Sequence, residues 1–157
     1  GVKSVAGDQY ATMRTVPSAG ARHPYETNLM VSKVEGLKKG IYRYRPLTHQ
    51  LEYVYTPENM DGTMTQAARK QKFAGNCAVA FVWSVVPYRG EWRYNERSHK
   101  PMLLDAGHIC QNLYLACEAI GYGTCAIAAY DQKLLDTLLQ LDGDDEFSVY
   151  LAPVGKV

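Results

Sequence analysis

The chain of 157 residues predicts an α+β domain of stacked layers, and three stretches carry that expectation. Gly40–Arg45 (GIYRYR) and Gln50–Tyr55 (QLEYVY) read as the two strands of a hairpin around a four-residue turn, Pro46–His49. Cys77–Val86 (CAVAFVWSVV) is apolar at successive positions, as a central strand covered on both faces would be. Pro101–Ile120 is a long, strongly apolar helix, with Gly121 placed as its C-terminal stop. A hairpin, a helix, a buried strand, a long helix and a final strand, in that order, make a layered α+β arrangement.

The segment Arg14–Glu26 (RTVPSAGARHPYE) should be a rigid, irregular loop. Pro17 and Pro24 fix their own φ and push Val16 and His23 towards extended backbone. Gly20 permits a geometry that other residues avoid, and the loop should hold unpaired N–H groups. Thr27–Val34 (TNLMVSKV) reads as a strand. In Gly40–Arg45, Tyr42 and Tyr44 alternate with Ile41, Arg43 and Arg45, the period of a half-buried strand.

Glu58–Lys72 is polar and should become helical towards its end. Pro87–His99 (PYRGEWRYNERSH) reads as a long, charged, aromatic loop. In Pro101–Ile120 the apolar residues Leu103, Leu104, Ile109, Cys110, Leu113, Leu115 and Ala116 cover more than one face, which points to burial in the core or in a subunit interface. Gly121–Tyr130 (GYGTCAIAAY) reads as a small-residue loop. A short helix, Asp131–Gln140, should be capped by Asp131, and Phe147–Val154 closes the order as a strand.

The formal net charge is +1, with 46% hydrophobic and 21% charged residues. That balance argues against a nucleic-acid or anionic-membrane partner. The longest apolar run is too short to span a bilayer, so no membrane role is expected, and the spacing of the cysteines and histidines suggests no metal site. The four cysteines, Cys77, Cys110, Cys117 and Cys125, lack CxxC spacing and suit buried thiols of a reducing cytoplasm. His23, His49, His99 and His108 show no metal-ligand spacing.

Three groups of residues invite chemistry. Gly121-Tyr-Gly123-Thr124 would let a ligand approach the backbone, although a helix cap already accounts for Gly121. Gly107 inside an apolar helix costs about 1 kcal/mol relative to Ala, so something should pack closely there. Neighbouring His108 reads as an interior hydrogen-bonder, and Asp105 is as unexpected as Gly107 on such a helix. Tyr42, Tyr44, Tyr53 and Tyr55 beside Arg43 and Arg45 could stack single-stranded bases, a reading the balanced charge disfavours. Arg89, Trp92, Arg93, Tyr94 and Arg97 together would suit a flat, electron-rich ligand.

The segments RTVPSAGARHPYE, VEGLKKGIYRYRP, LLDAGHICQNLYLACEAIGYGTCAIAAYDQ and LAPVGK together resemble the nitroreductase-like flavoprotein superfamily. They are most similar to its streptolysin-type azoline dehydrogenase branch. The resemblance covers nearly the whole chain, 1–157, as a single domain that begins after the N-terminal Arg-Arg-Ser segment of its relatives. It implies a mostly antiparallel central sheet flanked by helices, and a cytoplasmic, FMN-dependent oxidoreductase. That enzyme would be a homodimer with flavin at the interface, moving a hydride through flavin N5 from NAD(P)H or from a small-molecule or peptide substrate.

By the same resemblance Pro17, Ser18, Ala19, Gly20 and Arg22 lie along the flavin, and a side chain at Gly20 would collide with it. Gly123, Ala128 and Ala129 present backbone groups near flavin N5 and O4, and Lys156 meets the phosphate. Arg93-Tyr94 stands where azoline-oxidising relatives carry Lys-Tyr. Arginine, with a pKa above about 12, is a poor proton acceptor, so Tyr94 would be the acceptor of the pair. The alternative is a non-catalytic flavin-fold subunit that scaffolds a peptide-maturation complex.

Overall fold

The computed structural model describes residues 2–6 and 9–156, with side chains from residue 12 onward. Six strands form an antiparallel sheet in the order β5-β4-β3-β6-β8-β7. These are β3 (Tyr25–Val31), β4 (Gly40–Arg45), β5 (Gln50–Tyr55), β6 (Val79–Val85), β7 (Gly123–Thr124) and β8 (Phe147–Gly155). A separate hairpin of β1 (Val2–Ala6) and β2 (Gln9–Thr12) precedes them, an element the sequence reading did not foresee.

The apolar run behaves as expected of a central strand. β6 pairs with β3 on one side and β8 on the other. Ala80 and Val82 face a core built with α1 (Met60–Ala67), α2 (Lys72–Asn76) and α5 (Gln132–Leu139). Trp83 and Val85 face the opposite layer, against Met102, Ala106 and Cys110 of α4 (His99–Ala119). Each face of the sheet is thus closed by helices, the layered solution expected of an amphipathic sheet. The hairpin β4–β5 has the expected bounds, and Asp131 caps α5 by accepting the Leu134 N–H at 3.0 Å. Gly121 ends α4 with φ +71°, while the Tyr122 N–H reaches back to the Cys117 carbonyl at 2.9 Å. That is the reach-back expected of a glycine-terminated helix.

Several expectations are corrected. Glu58–Lys72 is helical in its middle, over Met60–Ala67, and the chain turns through Arg69 and Lys70 at positive φ before α2 begins. Pro87–His99 is not a loop: it forms α3 (Tyr88–Tyr94) and a 3₁₀ turn, Asn95–Ser98, which runs straight into α4. Its charges are compatible with helix because Arg93, Glu96 and Arg97 face solvent and Arg89 pairs with Glu26, while Gly90 and Ser98 face the core. Pro101 sits in the first turn of α4, where a missing N–H costs nothing. Gly121–Tyr130 is partly ordered by β7 and by a bridge between Ile127 and Leu151.

The long helix has two faces. Asp105, Ala106, Cys110 and Cys117 are buried, whereas Leu103, Leu104, Leu115 and Ile120 are 55–68% exposed. Gly107 and His108 lie on the open side, so the expectations of close packing at Gly107 and of an interior His108 are wrong within the chain. A β-carbon on Gly107 would meet nothing within 4 Å.

Candidate functional site

The Pro17–Arg22 segment is a 3₁₀ turn, Ala19–Ala21, rather than a run of open amides. The Ala21 N–H donates to the Ser18 carbonyl at 2.9 Å and the Arg22 N–H to the Ala19 carbonyl at 3.2 Å. Gly20 adopts φ +59°, a left-handed conformation that favours glycine. Its crowding comes from within the chain. A β-carbon there would stand 2.5 Å from the Tyr94 hydroxyl and 3.3 Å from Arg93 Nε. The fold therefore brings the PSAG turn and the Arg93-Tyr94 pair together, and the need for glycine is already explained without a ligand.

Arg22 is fixed beside them. Its Nε donates to the Gly20 carbonyl at 2.8 Å, and its guanidinium lies 4.9 Å from the Trp92 ring centre. Ala19, Arg22, Tyr94, Ser98 and Asp105 line a small void between this turn, α3 and α4. The Ser98 hydroxyl, buried there, has no hydrogen-bond partner among the described residues.

His23 departs from expectation. Instead of extended backbone before Pro24 it holds φ +46°. Two contacts impose this: the His23 N–H donates to Ser18 Oγ at 2.9 Å, and its carbonyl accepts Arg89 Nη1 at 3.2 Å. Arg89 also pairs with Glu26 at 2.6 Å. Burial first, and then nearby Arg14, push the imidazole below its ordinary pKa, despite the opposing pull of Asp105.

Two clefts open on this framework. The first, of about 540 Å³, lies between Pro17–Ser18, the start of β3 and α4, with the β4–β5 turn as its rim. The second, of about 570 Å³, gathers Gly123 and Lys156 with Lys33, Asn76 and Cys125 at the other end of the sheet. The first cleft adjoins Tyr25 and the second the far end of the same strand, six residue steps along. At about 3.4 Å per step the separation is about 20 Å. One chain thus divides the candidate residues into two groups.

Ala128 and Ala129 stand apart from both clefts, exposed beside the bridge at Ile127. The Ala129 carbonyl accepts Gln71 Nε2 at 3.3 Å, while the N–H groups of Ala128 and Ala129 donate to no described residue. Lys33 escaped the sequence reading because a lysine at a strand end carries no local signal. The tyrosine strands form no open stacking platform. Tyr42 is buried, Tyr44 bonds His49 at 2.7 Å, and the Tyr55 hydroxyl donates to the Leu138 carbonyl. Among the described residues no group of three potential metal ligands occurs, and no helix is long and apolar enough to cross a membrane.

Comparison with known proteins places these features in a family. Residues 6–156 match the model of the nitroreductase family. Protein MJ1384 of Methanocaldococcus jannaschii, which bears a nitroreductase name, is 29% identical over 143 residues, 91% of this chain and 70% of its own. The trifolitoxin-processing protein TfxB of Rhizobium leguminosarum bv. trifolii is 29% identical over 147 residues, covering 86% of this chain and only 38% of its own. A crystal structure of an Anabaena variabilis protein with a nitroreductase name superposes with a TM-score of 0.90 at 24% identity. It spans 98% of this chain and 31% of that one, and it shares the fold.

Proposed function

Because the chain belongs to the nitroreductase family, we propose that it is an FMN-dependent oxidoreductase that works in the cytoplasm as a homodimer. The hydride would come from NAD(P)H or from a small-molecule or peptide substrate undergoing dehydrogenation. When bound, FMN supplies an N5 that takes up or releases a hydride.

The second cleft carries the reading. Gly123 and Lys156, assigned to the flavin from the sequence, meet there, and Lys33 adds a second cation. Two ammonium groups beside exposed main chain are suited to a phosphate. The N–H groups of Ala128 and Ala129, which donate to no described residue, are available as donors to ring atoms. Pro17 and Ser18 offer a rigid apolar lip at the other end of the sheet, with Ala19, Gly20 and Arg22 behind it.

A ligand that needs both groups is best served by two copies facing each other. The exposed stripe of α4, with open Gly107 in its middle, offers an apolar surface for that pairing. Within this reading Tyr94 holds or delivers the substrate proton, and Arg93 contributes charge alone.

The test is the visible absorption spectrum of the purified protein, followed by titration with FMN and riboflavin. Expected are an oxidised-flavin band and a preference for FMN that Lys156→Glu removes without weakening riboflavin. A colourless protein that takes up neither flavin would defeat the reading and favour the scaffold subunit.

A further inference from the structure

We propose that the cleft between the Pro17–Ser18 turn and α4 is a binding site for a flat organic cation, an amidine or a protonated nitrogen heterocycle, with Asp105 as its counter-ion. Asp105 is only 6% exposed and lines the cleft floor. Among the described residues nothing donates a hydrogen bond to its carboxylate. The fully enclosed unpartnered side-chain atoms among the described residues are Ser98 Oγ and Ser148 Oγ, so the Asp105 oxygens open to the cleft, where they can accept from a ligand N–H.

The other charged groups do not meet this demand. Glu26 is engaged by Arg89 at 2.6 Å. Tyr44 and His49 satisfy one another at 2.7 Å across the rim. Arg14, an exposed residue of the cleft lining, has Glu26 rather than Asp105 as its carboxylate neighbour. His23 would be the natural partner of a buried aspartate. Its ring instead lies 3.3 Å from the Thr12 carbonyl, and burial with Arg14 and Arg22 nearby favours its neutral form. Arg22 and the Ser98 hydroxyl share a small void with Asp105, yet neither bonds its carboxylate, so no cation among the described residues pairs with it.

The walls specify the rest of the ligand. Pro17, Pro24, Tyr25, Ile109 and Leu47 present apolar, mostly flat surface around a single buried charge. Such a pattern selects a planar apolar body oriented by one polar group. The floor is preorganised, because His23 is held in its left-handed conformation from both its N–H and its carbonyl. The flavin reading shares Pro17 and Ser18 with this cleft but uses neither Asp105 nor His23. Ligand here would lie beside the Pro17–Ser18 lip.

Benzamidine is the probe and benzoate its anionic match, titrated calorimetrically into the full chain as purified. Its flavin content is read from the spectrum of the same sample, so failure here and failure of the flavin reading are distinguishable. Benzamidine should bind, benzoate should not displace it, and Asp105→Asn should weaken it at least tenfold. Absence of benzamidine binding, displacement by benzoate, or unchanged affinity in Asp105→Asn overturns the proposal. Leu47, 71% exposed at the rim, supplies a second measurement should Asp105→Asn fail to fold. At low salt Leu47→Glu should tighten benzamidine and Leu47→Arg weaken it, and equal affinity in both also overturns the proposal.

Discussion

The hydroxyl of Tyr94 stands 2.5 Å from the place where a β-carbon on Gly20 would be, so the turn and the end of α3 are fitted to each other. Gly20→Ala meets two obstacles, a left-handed backbone worth about 1–2 kcal/mol and the phenol oxygen. Tyr94→Phe removes the second. A denaturant double-mutant cycle should therefore show Gly20→Ala to be less damaging in Tyr94→Phe than in the parent chain. Additive effects would mean that Tyr94 moves aside freely.

Tyr94 also separates two chemistries. A dehydrogenase must place a proton as well as a hydride, whereas flavin reduction by NAD(P)H needs no such base. Tyr94→Phe is expected to leave NAD(P)H-driven flavin reduction within about tenfold, or about 1.4 kcal/mol of barrier, while abolishing most substrate dehydrogenation. Stopped-flow loss of the oxidised-flavin absorbance measures the first half. A collapse of that rate with flavin still bound would contradict this division of roles.

Assembly should depend on the open face of α4. Light scattering at micromolar concentration should give twice the 17.5 kDa chain mass. Leu104→Glu places a charge on the face shared with Leu103 and Leu115, residues that like Leu104 are more than half exposed in the single chain, and should yield monomer with unchanged helical content. A wild-type monomer that holds FMN tightly would count against the shared site.

His23 should make stability fall in mild acid. It is faced by Thr12, Arg14, Arg22 and Asp105, and its pKa is lowered by burial first and Arg14 second. The folded chain therefore binds this proton less readily than the unfolded chain, whose imidazole titrates near 6.5. Stability from this group is complete above about pH 6.5 and is lost as pH falls towards the lower folded value. His23→Asn keeps a residue that tolerates positive φ and should flatten that slope in urea titrations. An unaltered slope would assign the acid sensitivity to other groups.

What could be read from the chain alone was whatever repeats locally. The ten-residue apolar run announced a central strand, and Asp131 and Gly121 the ends of helices, whereas the alternation at Tyr42 and Tyr44 found the strand but not its burial, since Ile41 and Tyr42 are both buried. The PSAG turn and the DAGH helix together pointed to the family, which the match over residues 6–156 shows. Other features depend on neighbours distant in sequence. Polar Pro87–His99 folds as helix because its buried positions, Gly90 and Ser98, pack inward, a pattern hidden by its charges. His23 should be extended before a proline, yet Ser18 and Arg89 hold it left-handed. Local steric preferences amount to about a kilocalorie, and a pair of well-placed hydrogen bonds can outweigh them. Only the tertiary structure decided that Asp105 would be buried at a cleft floor with no donor among the described residues, and that Gly20 would face Tyr94.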